Sequence, residues 1–256
     1  MDQPILAVEH LQVCYAGKPV LEDISLTIEP GQILGIVGES GSGKSTLIQA
    51  AMGLLGNDGA ITGGDILYKN QNVTDLKGDE LRRLRGPEMG MIFQNTGASL
   101  CPIRTIEDQL YEAVLQHEKT TKQEIKDRAM DLFEKMKLPD GERILKSYPF
   151  ELSGGMNQRV GIMMAMILHP SLLFGDEPTS ALDVTVQAQI VELLRKLQRE
   201  MGLSLLLICH DLALVQEMCD RVLVMYQGSI VEEGTPDEII KNPQQEYTKL
   251  LIDSIF

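Results

Sequence analysis

The segment Gly38-Glu-Ser-Gly-Ser-Gly43-Lys44-Ser45 constrains the fold more than any other part of the chain. It fits G-x-x-x-x-G-K-[ST], and its flanks are those the pattern demands. The apolar run Ile33-Leu34-Gly35-Ile36-Val37 precedes it, and Thr46-Leu47-Ile48 opens a helix after it. A wholly apolar run of this kind reads as a parallel strand covered on both faces. Glycines let the loop adopt positive φ and turn its N–H groups inward, where the helix N-terminus adds its positive end. Such a loop is built for phosphate. Gly38, Ser40, Gly41, Gly43, Lys44, Ser45 and Thr46 are the candidate contacts. Lys44 would reach the β- and γ-phosphates and the Ser45 hydroxyl would ligate Mg²⁺.

The rest of the chain agrees with an α/β fold. Apolar runs recur at Met89 to Phe93, Leu172 to Phe174, Leu205 to Cys209 and Val222 to Met225. Ile24, Leu26 and Ile28 alternate with polar neighbours as in a half-buried strand. After Asp183, positions Ile190, Leu193, Leu194, Leu197 and Met201 form a helical stripe. Strands alternating with helices point to a mostly parallel sheet. From about Thr105 to His169 the pattern is helical throughout, and Thr121-Lys-Gln-Glu124 reads as a capping box ahead of the face Ile125, Ala129, Leu132, Phe133 and Met136. The expected organisation is one discontinuous core, 1–94 and 170–230, with a helical subdomain inserted at 95–169 and an acidic tail at 231–256.

Composition narrows the function classes. The 256 residues are 43% hydrophobic, enough for a sizeable core, and 37 acidic against 23 basic residues give a net charge of −14. That balance, with Lys18, Arg82, Arg83 and Arg85 dispersed, argues against a nucleic-acid binder. No run approaches the ~18 apolar residues of a membrane span. Met1-Asp2-Gln3-Pro4 lacks the features of a secretory signal. Cys14, Cys101, Cys209 and Cys219 have no metal-binding spacing and read as reduced, mostly buried thiols. Methionines such as Met163, Met164 and Met166 read as core filler, and His117, among charged residues, as exposed.

Two further segments carry chemistry. Leu172-Leu173-Phe174-Gly175-Asp176-Glu177 ends an apolar strand in two acids, which would face the phosphate pocket. Asp176 fits the Mg²⁺-holding role and Glu177 is placed to polarise a water for attack on the γ-phosphate. Leu152-Ser153-Gly154-Gly155-Met156-Asn-Gln158-Arg159 opens a helix with a hydroxyl and glycine N–H groups, a second anion site.

With that segment the chain resembles the ATP-binding cassette (ABC) family, from about Leu6 to Leu251. The resemblance implies an ABC ATPase core of α/β class with a mostly parallel sheet, N-terminal antiparallel strands and an inserted helical subdomain. It implies that Tyr15 stacks on adenine, that Gln94 senses the γ-phosphate, helps hold Mg²⁺ and faces membrane subunits, and that His210 is the switch histidine beside the catalytic Glu177 and Lys44. Ser180-Ala181-Leu182-Asp183 matches the loop that couples two cassettes, and Ser153, Gly154 and Gly155 would complete the ATP pocket of a partner. Four positions depart from the family pattern: Cys209 stands for Thr or Ser, Gly175 for Ala, and Asn95-Thr96 for Asp-Pro. None removes a catalytic group, so an active ATPase is expected.

Several stretches are similar to the ATPases of oligopeptide, dipeptide and nickel importers, among them Ala181-Leu-Asp-Val-Thr-Val-Gln-Ala-Gln-Ile190 and Asn242-Pro-Gln-Gln-Glu-Tyr-Thr-Lys-Leu-Leu251. The Arg143-Ile-Leu-Lys-Ser-Tyr-Pro run leans toward the nickel or metal–chelator branch. With no cysteine after Cys219, a C-terminal iron–sulfur cluster is not expected. The implied partners are a second, different cassette ATPase, two membrane permeases and an extracytoplasmic binding protein, with this chain peripheral at the cytoplasmic face of the membrane. The implied cofactors are ATP and Mg²⁺. A soluble mechanical or regulatory ATPase is the alternative. It is disfavoured by the short stretch between Gln94 and Leu152 and by the presence of Glu177 and His210.

Overall fold

The computed structural model describes residues 3–180 and 182–254. Ala181, Met1, Asp2, Ile255 and Phe256, on which some of the expectations above fall, lie outside the described residues.

The strands form two sheets. The first is antiparallel, in order β2–β1–β4–β5, from β1 (Leu6–Tyr15), β2 (Lys18–Ile28), β4 (Gly59–Tyr68) and β5 (Gln71–Asn72). The second runs β10–β9–β3–β8–β7–β6, from β3 (Ile33–Val37), β6 (Met89–Ile92), β7 (Leu172–Asp176), β8 (Ser204–Ile208), β9 (Arg221–Tyr226) and β10 (Ser229–Gly234). Its four inner pairings are β9 to β3, β3 to β8, β8 to β7 and β7 to β6, all parallel, closed by an antiparallel hairpin of β9 with β10.

The apolar runs are explained by what lies on either side. Leu34, Ile36, Phe174, Leu206, Ile208 and Leu223 face the antiparallel sheet and the helix α1 (Lys44–Ala51). Ile33, Val37, Leu173, Leu205, Leu207 and Val222 face a second core packed by helices. A strand buried on both faces has no place for a polar residue, so period-2 alternation disappears.

The helices are α2 (Asp79–Leu84), α3 (Thr96–Ser99), α4 (Ile106–Leu115), α5 (Lys122–Lys135), α6 (Gly141–Lys146), α7 (Gly154–Met166), α8 (Val184–Met201), α9 (Leu212–Met218), α10 (Pro236–Lys241) and α11 (Glu246–Asp253). Helices α3 to α7 fill the interval between β6 and β7, as the sequence predicts. The Thr121 capping box is present, and all five residues of the predicted α5 face are buried. Ile190, Leu193, Leu194 and Leu197 of α8 are buried, with Met201 packed against them. Met163 and Met166 are buried in the core. His117 is not exposed as expected: it is half-buried, with its ring next to Gly86. No helix among the described residues is long and apolar enough to cross a membrane.

Candidate functional site

Four parallel strands end at the same edge of the sheet, and each releases a chemical group there. β3 leads into the glycine loop, β7 into Asp176 and Glu177, β8 into Cys209 and His210, and β6 into Phe93 and Gln94. Because β3, β8, β7 and β6 are neighbours, the four loops are too.

The loop is held tightly from behind. Gly38 has φ 148°, and a Cβ there would lie 2.2 Å from the Met225 carbonyl oxygen, so only glycine fits. Gly228 donates its N–H to the Ser42 carbonyl at 3.1 Å. Lys44 is buried and turns back on its own loop. Its Nζ donates to the Gly38 carbonyl at 2.9 Å, the Glu39 carbonyl at 2.6 Å and Ser42 Oγ at 3.3 Å. Burial pulls the Lys44 ammonium below the ordinary lysine value, although Glu177, Asp176 and Glu39 act to raise it. At the α1 N-terminus no side chain caps the helix, which leaves its first N–H groups free for an anion.

Ser45 Oγ donates to Asp176 Oδ1 at 3.0 Å, so the two candidate Mg²⁺ ligands already meet. Burial pushes the Asp176 carboxyl up, the Ser45 hydroxyl draws it back, and nearby Glu177 adds to the rise. An oxygen-only pair of hydroxyl and carboxylate suits a hard cation such as Mg²⁺.

Glu177 sits one residue on with φ 47°, a conformation that costs a non-glycine residue roughly 1–3 kcal/mol and marks a constrained site. Its N–H donates to the Ile208 carbonyl at 3.1 Å. Its carboxylate is shared: Oε1 lies 2.5 Å from His210 Nε2, and Oε2 accepts from Gln94 Nε2 at 2.6 Å. Gln94 also reaches Ser180 Oγ at 3.3 Å. Thus Gln94, expected near the metal, is bonded to Glu177 and makes no hydrogen bond to Ser45 or Asp176. A cleft of about 560 Å³ opens beside this group, lined by Glu177, Ser180, Gln187, Cys209, His210 and Asp211.

Tyr15 ends β1, half-buried, and its hydroxyl donates to Gln49 Oε1 of α1 at 3.0 Å. Gly59 lies against its ring edge. Thr46, in the first turn of α1, is half-buried. Ser153 caps α7 by accepting from the Met156 N–H at 3.3 Å, and Ser153 and Gly154 are exposed. Among the described residues no hydrogen bond joins Ser153–Gly155 to the 38–45 loop. One chain does not bring the two anion sites together.

The departures have local reasons. A Cβ on Gly175 would lie 2.6 Å from Leu207 Cδ2, so the larger Leu207 occupies the space an alanine would need. Asn95 caps α3 by accepting from the Ala98 N–H at 3.1 Å, and the buried Thr96 hydroxyl donates to Gln158 Oε1 at 2.9 Å. Burial pushes the Cys209 thiol up to about 12, so it stays protonated. All four cysteines are free, Cys209 and Cys219 buried, Cys14 and Cys101 half-buried.

Comparison with known proteins fits this geometry. A profile of the ABC transporter family matches residues 21–180. The chain belongs to the ABC transporter family. It is an ABC ATPase, a cassette whose hydrolysis of ATP is coupled to transport. It is 45% identical to the dipeptide transport ATP-binding protein DppD of Haemophilus influenzae, over 98% of this chain and 77% of that protein. It is 40% identical to a probable D,D-dipeptide transport ATP-binding protein of Escherichia coli, over 97% and 77%. Among solved structures, cbiO1 of Clostridium perfringens, part of an ABC transporter complex, superposes with TM-score 0.81 at 29% identity, covering 94% of this chain and 92% of that one. An ATP-binding cassette solved as a dimer in a post-hydrolysis state with ADP and Pi superposes with TM-score 0.78 at 26% identity, covering 90% and 98%.

Three features of the cassette escaped sequence reasoning: Gln49 on the Tyr15 hydroxyl, Ser42 on Lys44, and Met225 behind Gly38. Ser42 lies inside the motif and was within reach. The other two are contacts with no spacing signature.

Proposed function

We propose that this cassette is the ATP-hydrolysing subunit of an importer of di- or oligopeptides, peripheral at the cytoplasmic face of the membrane and bound to two permeases. The observation that carries the peptide reading is the similarity, along 97–98% of this chain, to relatives named for dipeptide transport, which draws the assignment away from nickel or a metal–chelator complex.

In this reading Tyr15 stacks on adenine and the 38–45 loop wraps the phosphates. Lys44 exchanges the Gly38 and Glu39 carbonyls for β- and γ-phosphate oxygens, a trade its three present partners make feasible. Ser45 and Asp176 would hold Mg²⁺, with Gln94 turning toward it; that ion supplies charge neutralisation across the phosphates when bound. Glu177 accepts the proton of the attacking water as the new P–O bond forms and the bond to the β-phosphate breaks. To do so it must first loosen its bonds to His210 and Gln94, after which His210 is free to contact the γ-phosphate. Ser153, Gly154 and Gly155 of one cassette complete the site of the other, so full turnover needs a pair.

The core of 1–94 and 170–230 carries the loop and acids, and the 95–169 helices carry the second anion site. Between them lies a groove of about 410 Å³ lined by Met91, Phe93, Leu100, Ala113 and Met164, with Arg104 and Glu112 paired at its rim. Its position next to Gln94 suits a permease helix whose seating is felt by the Glu177 group. Affinity purification of tagged chain from gently solubilised membranes tests the whole reading. Two permeases, a second cassette and a binding protein carrying peptide are expected. A clean homodimer without membrane partners would overturn it.

A further inference from the structure

The C-terminal helix touches the phosphate loop. Tyr247, in the first turn of α11, accepts a hydrogen bond on its hydroxyl from the Glu39 N–H at 2.8 Å, across 208 positions of sequence. The Tyr247 ring is fixed at its base by Tyr226, with ring centroids 4.1 Å apart. Tyr226 ends β9 directly after Met225, whose carbonyl backs Gly38. The start of α11 is fixed as well: the Glu232 carboxylate of β10 accepts from the Gln244 and Gln245 N–H groups at 2.7 and 3.0 Å. The hydroxyl is therefore presented from a clamped ring on a clamped helix.

The peptide between Gly38 and Glu39, whose N–H Tyr247 holds, is one that nucleotide binding disturbs. Its carbonyl, that of Gly38, accepts from Lys44 Nζ at 2.9 Å; the next carbonyl, that of Glu39, accepts from Lys44 Nζ at 2.6 Å and from the Ser42 N–H at 3.3 Å. When Lys44 leaves for phosphate, both of its bonds to these carbonyls are lost. What remains is the long bond within the loop on the Glu39 carbonyl and, from outside the loop, the Tyr247 hydroxyl on the Glu39 N–H.

We propose that Tyr247 is a positioning residue of the phosphate loop: its hydroxyl fixes the Gly38–Glu39 peptide so that the loop keeps its open curve once Lys44 has moved to the nucleotide. The proposal rests on the reading of 38–45 as the phosphate loop. It makes α11 a reporter of nucleotide occupancy as well, because coupling between two sites is reciprocal.

The test uses the full chain and compares Tyr247→Phe, which keeps the ring on Tyr226, with the wild type. Equilibrium titration with ATP and, separately, with inorganic pyrophosphate should each show roughly 3–10-fold weaker binding, the worth of one neutral hydrogen bond. The maximal turnover rate should change by less than about twofold, as for a group that acts on binding alone. Amide exchange across 246–253 should slow when ATP binds to the wild type and should not in the variant. Unchanged affinity in Tyr247→Phe with only a lower melting temperature would reduce Tyr247 to packing and overturn the proposal. So would weaker binding of ATP with pyrophosphate unaffected. Lys44→Ala separates the two readings: it should abolish binding of both probes, and if it does not, the phosphate-loop reading fails independently of Tyr247.

Discussion

At the scale of single residues the cassette holds its chemistry in a self-satisfied resting form. Glu177 is shared by His210 and Gln94, Lys44 by its own loop, and Asp176 by Ser45. Glu177→Gln should lose ~10²–10⁴-fold of turnover, the usual worth of a positioned base, while ATP binding persists. Near-normal phosphate release by that variant would refute its role. Asp176 makes a prediction of opposite sign for stability. Burial raises its folded pKa, so the fold disfavours the charged form, and the penalty is present wherever pH exceeds that raised value. At neutral pH Asp176→Asn should raise the melting temperature of the nucleotide-free chain and abolish Mg²⁺-dependent hydrolysis, a trade of stability against function. In the wild type, acidification should weaken Mg²⁺ at a pH above the ordinary aspartate range, as protons compete for the carboxylate. Thiol labelling offers a simple check on burial: Cys14 and Cys101 should react before Cys209 and Cys219.

Between elements one tight fit is where α3 meets α7. A Cβ on Gly161 would lie 2.4 Å from Thr96 Cγ2, and Thr96 cannot retreat because its buried hydroxyl holds Gln158. Gly161→Ala should therefore cost about 1–3 kcal/mol in denaturant melts, the usual range for overpacking. The double variant with Thr96→Ala should recover much of that loss, the coupling expected of side chains in contact. The same contrast shows what the sequence could reveal. β3, β7, β8 and β9 were legible because strands buried on both faces are continuous apolar runs, and α5 and α8 because each has one apolar face. β4 and β10 were not: β4 is glycine-rich and only partly buried, and β10 is a half-exposed edge with Glu232 and Glu233. Of the candidate site, the groups proposed to do the chemistry lie in short motifs and could be read directly. The side chains that position them, Gln49 and Tyr247, are brought in by tertiary packing, and nothing local announces them.

For the molecule as a whole, the net charge of −14 bears on assembly. If two copies of this chain close over nucleotide, they do so against mutual repulsion, which salt screens over roughly 10 Å at 0.1 M. ATP-driven self-association of Glu177→Gln, followed by sedimentation, should strengthen as salt rises from low to physiological levels. The opposite trend would mean that local charge pairs at the interface outweigh the overall field. A less acidic second cassette would relieve the same repulsion. The bonds from Glu177 to Gln94 and His210 bear on economy of fuel. On the proposed role of Glu177, a subunit waiting for its partners keeps its base occupied by two loops that belong to different strands, and a lone chain would split ATP only when both let go. The idle rate of isolated subunits thus counts how often that ring opens, and sets how much of the cell's nucleotide pool drains through chains that are moving nothing.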